Sequence, residues 1–126
     1  MEITQLFPVA QELTILLPDG TPTDIKLKLV GQDSTQFRTV AKKFAKQMLN
    51  NEGKPDIDVL EAQNAELSAA CIVGWSGLTE NDAEVPYSPQ KAQELMALPQ
   101  LAFIREQVEG YVAKRTNFFR PGEKAA

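Results

Sequence analysis

The chain offers few side chains that could carry covalent or metal chemistry. It contains no histidine and one cysteine, Cys71, so neither a Ser-His-Asp nor a Cys-His catalytic arrangement can form. A lone cysteine also makes no internal disulfide and no multi-cysteine zinc site. A reactive thiolate needs an electropositive, partly exposed position, whereas Cys71 lies within the apolar run 69–73. We therefore expect Cys71 to pack in the core, and we predict no metal and no cofactor.

Carboxylates are the other candidates for chemistry. The segment 80–84 offers several oxygens but lacks the glycine and the spaced ligands of a calcium loop. Asp56 with Asp58, or Glu106 with Glu109, could act as general acid and base only in a cleft that separates their pKa values. Neither such a cleft nor a glycine-rich phosphate loop is indicated by the sequence. We therefore predict that the protein is not an enzyme.

Size and charge set the broad class. The 126 residues are 43% hydrophobic and carry a net charge of -4, which is typical of one globular domain. We predict a single domain over 1–117 and a C-terminal tail over 118–126.

The acidic balance argues against sequence-independent nucleic-acid binding, which requires Lys and Arg to neutralise phosphates. The first residues lack a basic and an apolar signal region, and the run 69–73 is far shorter than the roughly 20 residues that span a membrane. We therefore expect no signal peptide and no membrane contact.

The periodicity of apolar residues predicts an α+β fold. Polar and apolar residues alternate around a Pro-Asp-Gly turn, which predicts a β-hairpin over 12–30. An i, i+3, i+4 apolar pattern predicts an amphipathic helix over about 34–50. Three further helices are predicted, over about 56–75, 89–97 and 99–117. We expect the N-terminal hairpin to pack on this mainly α-helical domain of about four helices, because a lone hairpin is marginal in water.

Charge is distributed unevenly along the chain. Six basic residues and one acid lie between positions 26 and 46, whereas eight acids and one base lie between 52 and 84. Such runs are often only solvated helix faces, but a basic face on an acidic chain can also bind a copy of itself or an acidic partner. The candidate partner-binding residues on the first helix are Arg38, Lys42, Lys43 and Lys46.

Aromatic residues supply the remaining candidates. Trp75, the only tryptophan, is expected to hold the loop that follows it against the core, although an exposed tryptophan would be a binding hot spot. Phe118, Phe119 and Arg120 adjoin one another near the C-terminal end. Either one of the two rings packs on the core, or the group forms a contact that a partner completes, since aromatic and Arg side chains are enriched at interface centres. We include all three among the candidate partner-binding residues.

Several motifs occur in a recognisable order. Trp75 and Gly77 form Trp-x-Gly, Pro86 and Tyr87 begin Pro-Tyr-Ser, and Pro99 follows the leucine-containing segment 95–98. With the hairpin and basic helix before them, these motifs resemble the tail assembly chaperones of long-tailed, lambda-like siphophages. The resemblance covers about 62–119 and includes no catalytic motif.

The resemblance implies a non-enzymatic role in virion assembly. Such a chaperone binds the phage tape measure protein, keeps it soluble and promotes assembly of the tail tube. A longer, frameshifted form of the family recruits the tail tube protein, and the family tends to self-associate. It implies action in the host bacterial cytoplasm and absence from the mature virion. Two alternatives stay open: a structural tail-completion or neck component of the virion, or a small acidic regulator that binds a cellular protein.

Overall fold

The computed structural model describes residues 2–50 and 56–119, and it confirms the predicted α+β class. An antiparallel sheet formed at the N-terminal end packs against four helices. The strands and helices are β1 Gln11–Leu16, β2 Pro22–Leu29, α1 Thr35–Asn50, α2 Ile57–Cys71, β3 Ile72–Ser76, β4 Thr79–Glu80, β5 Ala83–Glu84, α3 Pro89–Ala97 and α4 Ala102–Val112. Single 3-10 turns lie at Ile3–Leu6, Pro99–Leu101 and Arg115–Phe118.

The sheet places one apolar face on the helices. Its order is β1-β2-β3, with β2 in the centre. Leu27 and Leu29 are buried, whereas the alternating Lys26 and Lys28 are exposed, as the period of two along β2 predicts. Leu27 pairs with Trp75 of β3, so the indole shares the inner face.

The third strand was not predicted. The helix expected over 56–75 ends at Cys71, and Ile72–Ser76 pairs with β2 instead. Ile72, Val73 and Trp75 are β-branched or aromatic residues, which fit a pleated, half-buried surface. Pairing with the open edge of β2 therefore prevails over continuation of the helix, and the added strand stabilises a hairpin that would be marginal alone.

Two other predicted elements are also corrected. The loop expected after Trp75 contains the hairpin β4–β5, closed by Asn81 and Asp82 at φ 53° and 65°. Positive φ at both central residues is the geometry that two-residue hairpin turns favour. The helix expected over 99–117 is α4 alone, preceded by a 3-10 turn. It stops because Lys114 adopts an extended conformation (φ -100°, ψ 99°).

The core lies between the sheet and α2, α3 and α4. Helix α2 is central because it contacts the three other α-helices. Its C-terminal half is buried through Ala65, Ser68, Ala69 and Cys71. The remaining buried apolar residues are Ile15, Leu27, Leu29, Ile72, Ala92, Met96, Ile104, Val108, Val112 and Phe118.

Candidate partner-binding surfaces

Helix α1 is held at the edge of the molecule. Its N-cap is Ser34, whose Oγ accepts a hydrogen bond from the Phe37 N–H at 3.1 Å. None of its residues is buried, and its main packing partner is α2. The apolar stripe predicted on α1 therefore packs on α2 only near the start of α1. Met48 and Leu49 at its end are 49% and 81% exposed.

Helices α1 and α2 form a hairpin that projects from the core. Lys43 forms an ion pair with Glu66, and Gln47 pairs with Gln63, so the two helices run antiparallel. The end of α1 and the start of α2 therefore lie at the same end of the hairpin. We call the exposed apolar side chains there the hairpin tip: Met48, Leu49, Ile57, Val59 and Leu60. Clustered exposed apolar side chains are typical of interaction sites.

The two helices of the hairpin carry opposite charge. Over 35–50 the basic residues are Arg38, Lys42, Lys43 and Lys46, with no acid, and over 56–71 the acidic residues are Asp56, Asp58, Glu61 and Glu66, with no base. Among the described residues, no carboxylate forms an ion pair with Lys42 or Lys46. The charges of the two helices are thus mostly available to groups outside the hairpin.

A groove runs along one side of α1, between α1, α2 and α4. Two adjoining cavities of about 260 and 320 Å³ form it, and they share Gln32 and Phe37. Its apolar lining is Phe37, Ala41, Ala45, Leu67, Cys71, Val108, Val112 and Ala113. Its basic residues are Arg38, Lys42 and Arg115. We call this depression the basic groove.

Asp33 and Arg115, which both line the basic groove, form an ion pair. The Arg115 guanidinium donates two hydrogen bonds to Asp33, from Nε at 2.7 Å and from Nη2 at 3.0 Å. Arg38 lies 3.9 Å from the same carboxylate. Arg38 and Lys42 were predicted from the sequence but Arg115 was not, because Arg115 is 82 residues from Asp33 and no periodicity connects them.

Of the C-terminal aromatic residues, Phe118 packs in the core. Phe118 is 2% exposed, and its ring packs edge-to-face on Tyr111 with centroids 5.4 Å apart. Its carbonyl accepts a hydrogen bond from the Val9 N–H at 2.7 Å. Of the two alternatives, the first holds for Phe118: its ring packs on the core, so Phe118 belongs neither to the tail nor to a partner contact. Phe119 is half-buried, and Arg120 lies outside the described residues.

The motif residues around Trp75 hold a loop against the sheet. The Trp75 Nε1–H donates to the Val85 carbonyl at 2.8 Å, and its ring meets Tyr87 edge-to-face at 5.0 Å. The Tyr87 hydroxyl donates to the Ile72 carbonyl at 2.7 Å, and burial raises the pKa of Tyr87. Gly77 has φ +76°, and a Cβ there would lie 1.9 Å from the Asp24 carbonyl oxygen. Pro86 is exposed beside them, and Pro99 begins a 3-10 turn elsewhere.

The chemistry of Cys71 follows from its burial. Its side chain is 1% exposed, and desolvation raises the pKa of the thiol to about 12. The thiolate is therefore disfavoured near neutral pH, which agrees with packing rather than nucleophilic chemistry.

Within 2–50 and 56–119, no three metal-ligating side chains come together. No helix in that part of the chain is long and apolar enough to cross a membrane.

Comparison of the chain with protein-family models, with curated proteins and with solved structures gives no match.

Proposed function

We propose that this protein is a non-catalytic phage tail assembly chaperone that binds the tape measure protein and keeps it soluble. The observation that carries the proposal is the hairpin tip, where five large apolar side chains are exposed on two paired helices. The order of the Trp75–Gly77, Pro86–Tyr87 and Pro99 motifs gives the proposal its particular client.

An exposed apolar surface such as the hairpin tip suits the task of keeping a tape measure protein soluble. A tape measure protein is a long helical chain whose apolar stripes would aggregate if they were left in water. An amphipathic helix binds by placing its apolar face on an apolar groove or on neighbouring helices. Weak contacts repeated along one long client give high total avidity without a single tight site.

The other roles of the proposal follow the family that the sequence resembles. The chaperone acts in the host cytoplasm, promotes tail tube assembly around its client and does not remain in the finished virion. A longer, frameshifted product of the same gene recruits the tail tube protein. The protein also self-associates, as the resembled family does.

Co-expression with the tape measure protein encoded nearby tests the proposal. We expect the wild-type protein to raise the soluble fraction of the client, because it covers the client's apolar stripes. The triple variant Met48→Ser, Leu49→Ser and Ile57→Ser should lose this effect. Leu98→Ser is the matched control, since Leu98 is also an exposed apolar residue but lies beyond α3, away from the hairpin tip. Circular dichroism should show that all variants fold.

A client that is equally insoluble with and without the wild-type protein would contradict the proposal. Mass spectrometry of purified virions separates the main alternative. A chaperone should be absent from the particles, whereas a tail-completion or neck component would be present in fixed stoichiometry.

A further inference from the structure

We infer, on the basis of the proposed function, that the basic groove is the docking site for an amphipathic α-helix whose apolar stripe is flanked by carboxylates. At the hairpin tip, the apolar side chains of α1 and α2 are left exposed by the described part of the chain. The basic groove shows on which side of α1 the partner lies and which charge it carries.

The shape of the groove fits a helix. Phe37, Ala41 and Ala45 lie at i, i+4 and i+8, so they form one row along α1, and all three line the groove. Met48 continues that row at i+11 into the hairpin tip. From Phe37 to Met48 the row is about 16 Å long, or three helical turns. The two alanines leave room for another backbone to approach at the 8–10 Å that packed helices keep.

The wall of the groove that α2 forms also extends towards the hairpin tip. Leu67 and Cys71 of α2 line the groove together with Asn64, and Leu60 precedes Asn64 by one turn. Leu60 therefore extends this row into the hairpin tip, opposite Met48. A helix laid between the two rows would convert the exposed hairpin into a three-helix bundle.

The charged residues of the basic groove favour binding of an acidic helix. Arg38, Lys42 and Arg115 face two carboxylates in the groove, Asp33 and Glu109. Both carboxylates are already in ion pairs, Asp33 with Arg115 and Glu109 with Arg105 at 3.8 Å. Lys42 has no ion pair with a described carboxylate, so the groove presents a positive rim to a partner.

Arg105 is the ion-pair partner of Glu109 beside the groove. Its Nε–H is buried and has no hydrogen-bond acceptor among the described residues. Such a donor is costly to leave unpaired. Arg105 lies one turn before Glu109, which lines the groove. The nearest carboxylate is Glu109, 3.8 Å from this Nε, so Arg105 keeps Glu109 from cancelling the positive charge of the groove.

The other side of α1 offers a matched control surface. A cavity of about 670 Å³ lies there, and none of its lining residues is charged. Gln36 and Thr39 of α1 line it. Substituting both with Glu changes the charge by the same amount as Lys42→Glu but on the opposite face.

A pair of synthetic helices tests the inference independently of the phage client. The probe is a fluorescent amphipathic peptide of about 18 residues, with leucines at core spacing and glutamates on both flanks. The control peptide has the same sequence with lysines in place of the glutamates. In fluorescence anisotropy at low salt, we expect the full-length protein to bind the glutamate peptide at least about tenfold more tightly than the lysine peptide. Lys42→Glu should weaken that binding about tenfold, and Gln36→Glu with Thr39→Glu should change it less than about twofold.

Each other outcome has a defined meaning. Equal affinity for the two peptides, or equal effects of the two sets of substitutions, would overturn the inference. Concentration-dependent sedimentation of the free protein that Lys42→Glu abolishes would assign the groove to a second copy and would also overturn it. If Lys42→Glu weakens peptide binding but the client stays fully soluble, the client docks elsewhere and only the inference fails. If the peptides behave as expected and the wild-type protein never solubilises the client, only the proposed function fails.

Discussion

The packing of Phe118 predicts a specific coupling with Gly31. An ideal Cβ at Gly31 would lie 2.6 Å from Cδ2 of Phe118, far inside van der Waals contact. Gly31 is itself buried and the ring is 2% exposed, so neither can move aside. Overpacking of this kind costs about 1–3 kcal/mol, which we expect for Gly31→Ala in the wild-type background.

Removing the ring should reverse the effect of the same substitution. Phe118→Ala alone should cost about 3–5 kcal/mol, as deletion of a buried aromatic side chain does. Gly31 is not among the residues with positive φ, so alanine suits its backbone once the ring is gone. In the Phe118→Ala background, Gly31→Ala should therefore be neutral or stabilising by about 0.5 kcal/mol. The expected coupling energy between the two sites is about 1–3 kcal/mol.

Urea denaturation of the four proteins in this cycle measures the coupling. The midpoint should shift at constant m-value, since only the native packing changes. An equal cost of Gly31→Ala in both backgrounds would refute the clash. A cost below about 1 kcal/mol for Phe118→Ala would show that the ring is not part of the core.

Three further predictions concern the sheet and the core. Trp75→Ala should cost about 3 kcal/mol. Trp75→Phe should cost about 1 kcal/mol, because an aromatic ring still packs beside Tyr87 while the hydrogen bond to Val85 is lost. Equal urea midpoints for the two variants would contradict this. Gly77→Ala should cost about 3 kcal/mol or more, since alanine meets both the positive φ and the Asp24 carbonyl; an unchanged melting temperature would exclude that contact. Burial raises the pKa of the Cys71 thiol from 9.0 to about 12, so the protonated native state loses stability as pH rises from 9 towards 12. Urea midpoints should fall less over that range in Cys71→Ala, and the native thiol should not react with a disulfide reagent at pH 8.

The elements with strong periodicity were predictable. Alternation in 24–30 gave β2 its correct inner face, and the i, i+4 pattern gave α1 its position. Ser88 caps α3, with its Oγ accepting a hydrogen bond from the Lys91 N–H at 3.0 Å. These features depend on local interactions, so neighbouring residues are sufficient to predict them.

Strand β3 and the burial of Phe118 depend on distant residues. A short apolar run such as 69–73 suits a buried helix or a strand equally well, and the open edge of β2 decides between them. Phe118 is buried because Gly31, 87 positions earlier, leaves space for its ring. By contrast, the β4–β5 hairpin had a readable signal, since Asn81 and Asp82 tolerate positive φ better than most residues.

The candidate surface was predictable in part. The basic row on α1 followed from charge counting, and the apolar stripe predicted that one face of α1 meets another element. The sequence could not show that α2 covers that stripe only near the start of α1, or that Arg115 lines the groove together with residues of α1. Both depend on contacts between residues that lie far apart in the chain.

Hydrogen exchange of the protein with and without its bound tape measure protein tests the central claim most directly. If the molecule works by presenting the α1–α2 hairpin and the basic groove to a client helix, protection should rise over 37–49 and 57–67. The β4–β5 hairpin, over 79–84, should exchange at an unchanged rate. A stable complex that left 37–49 and 57–67 unprotected, or that protected 79–84 instead, would contradict the account.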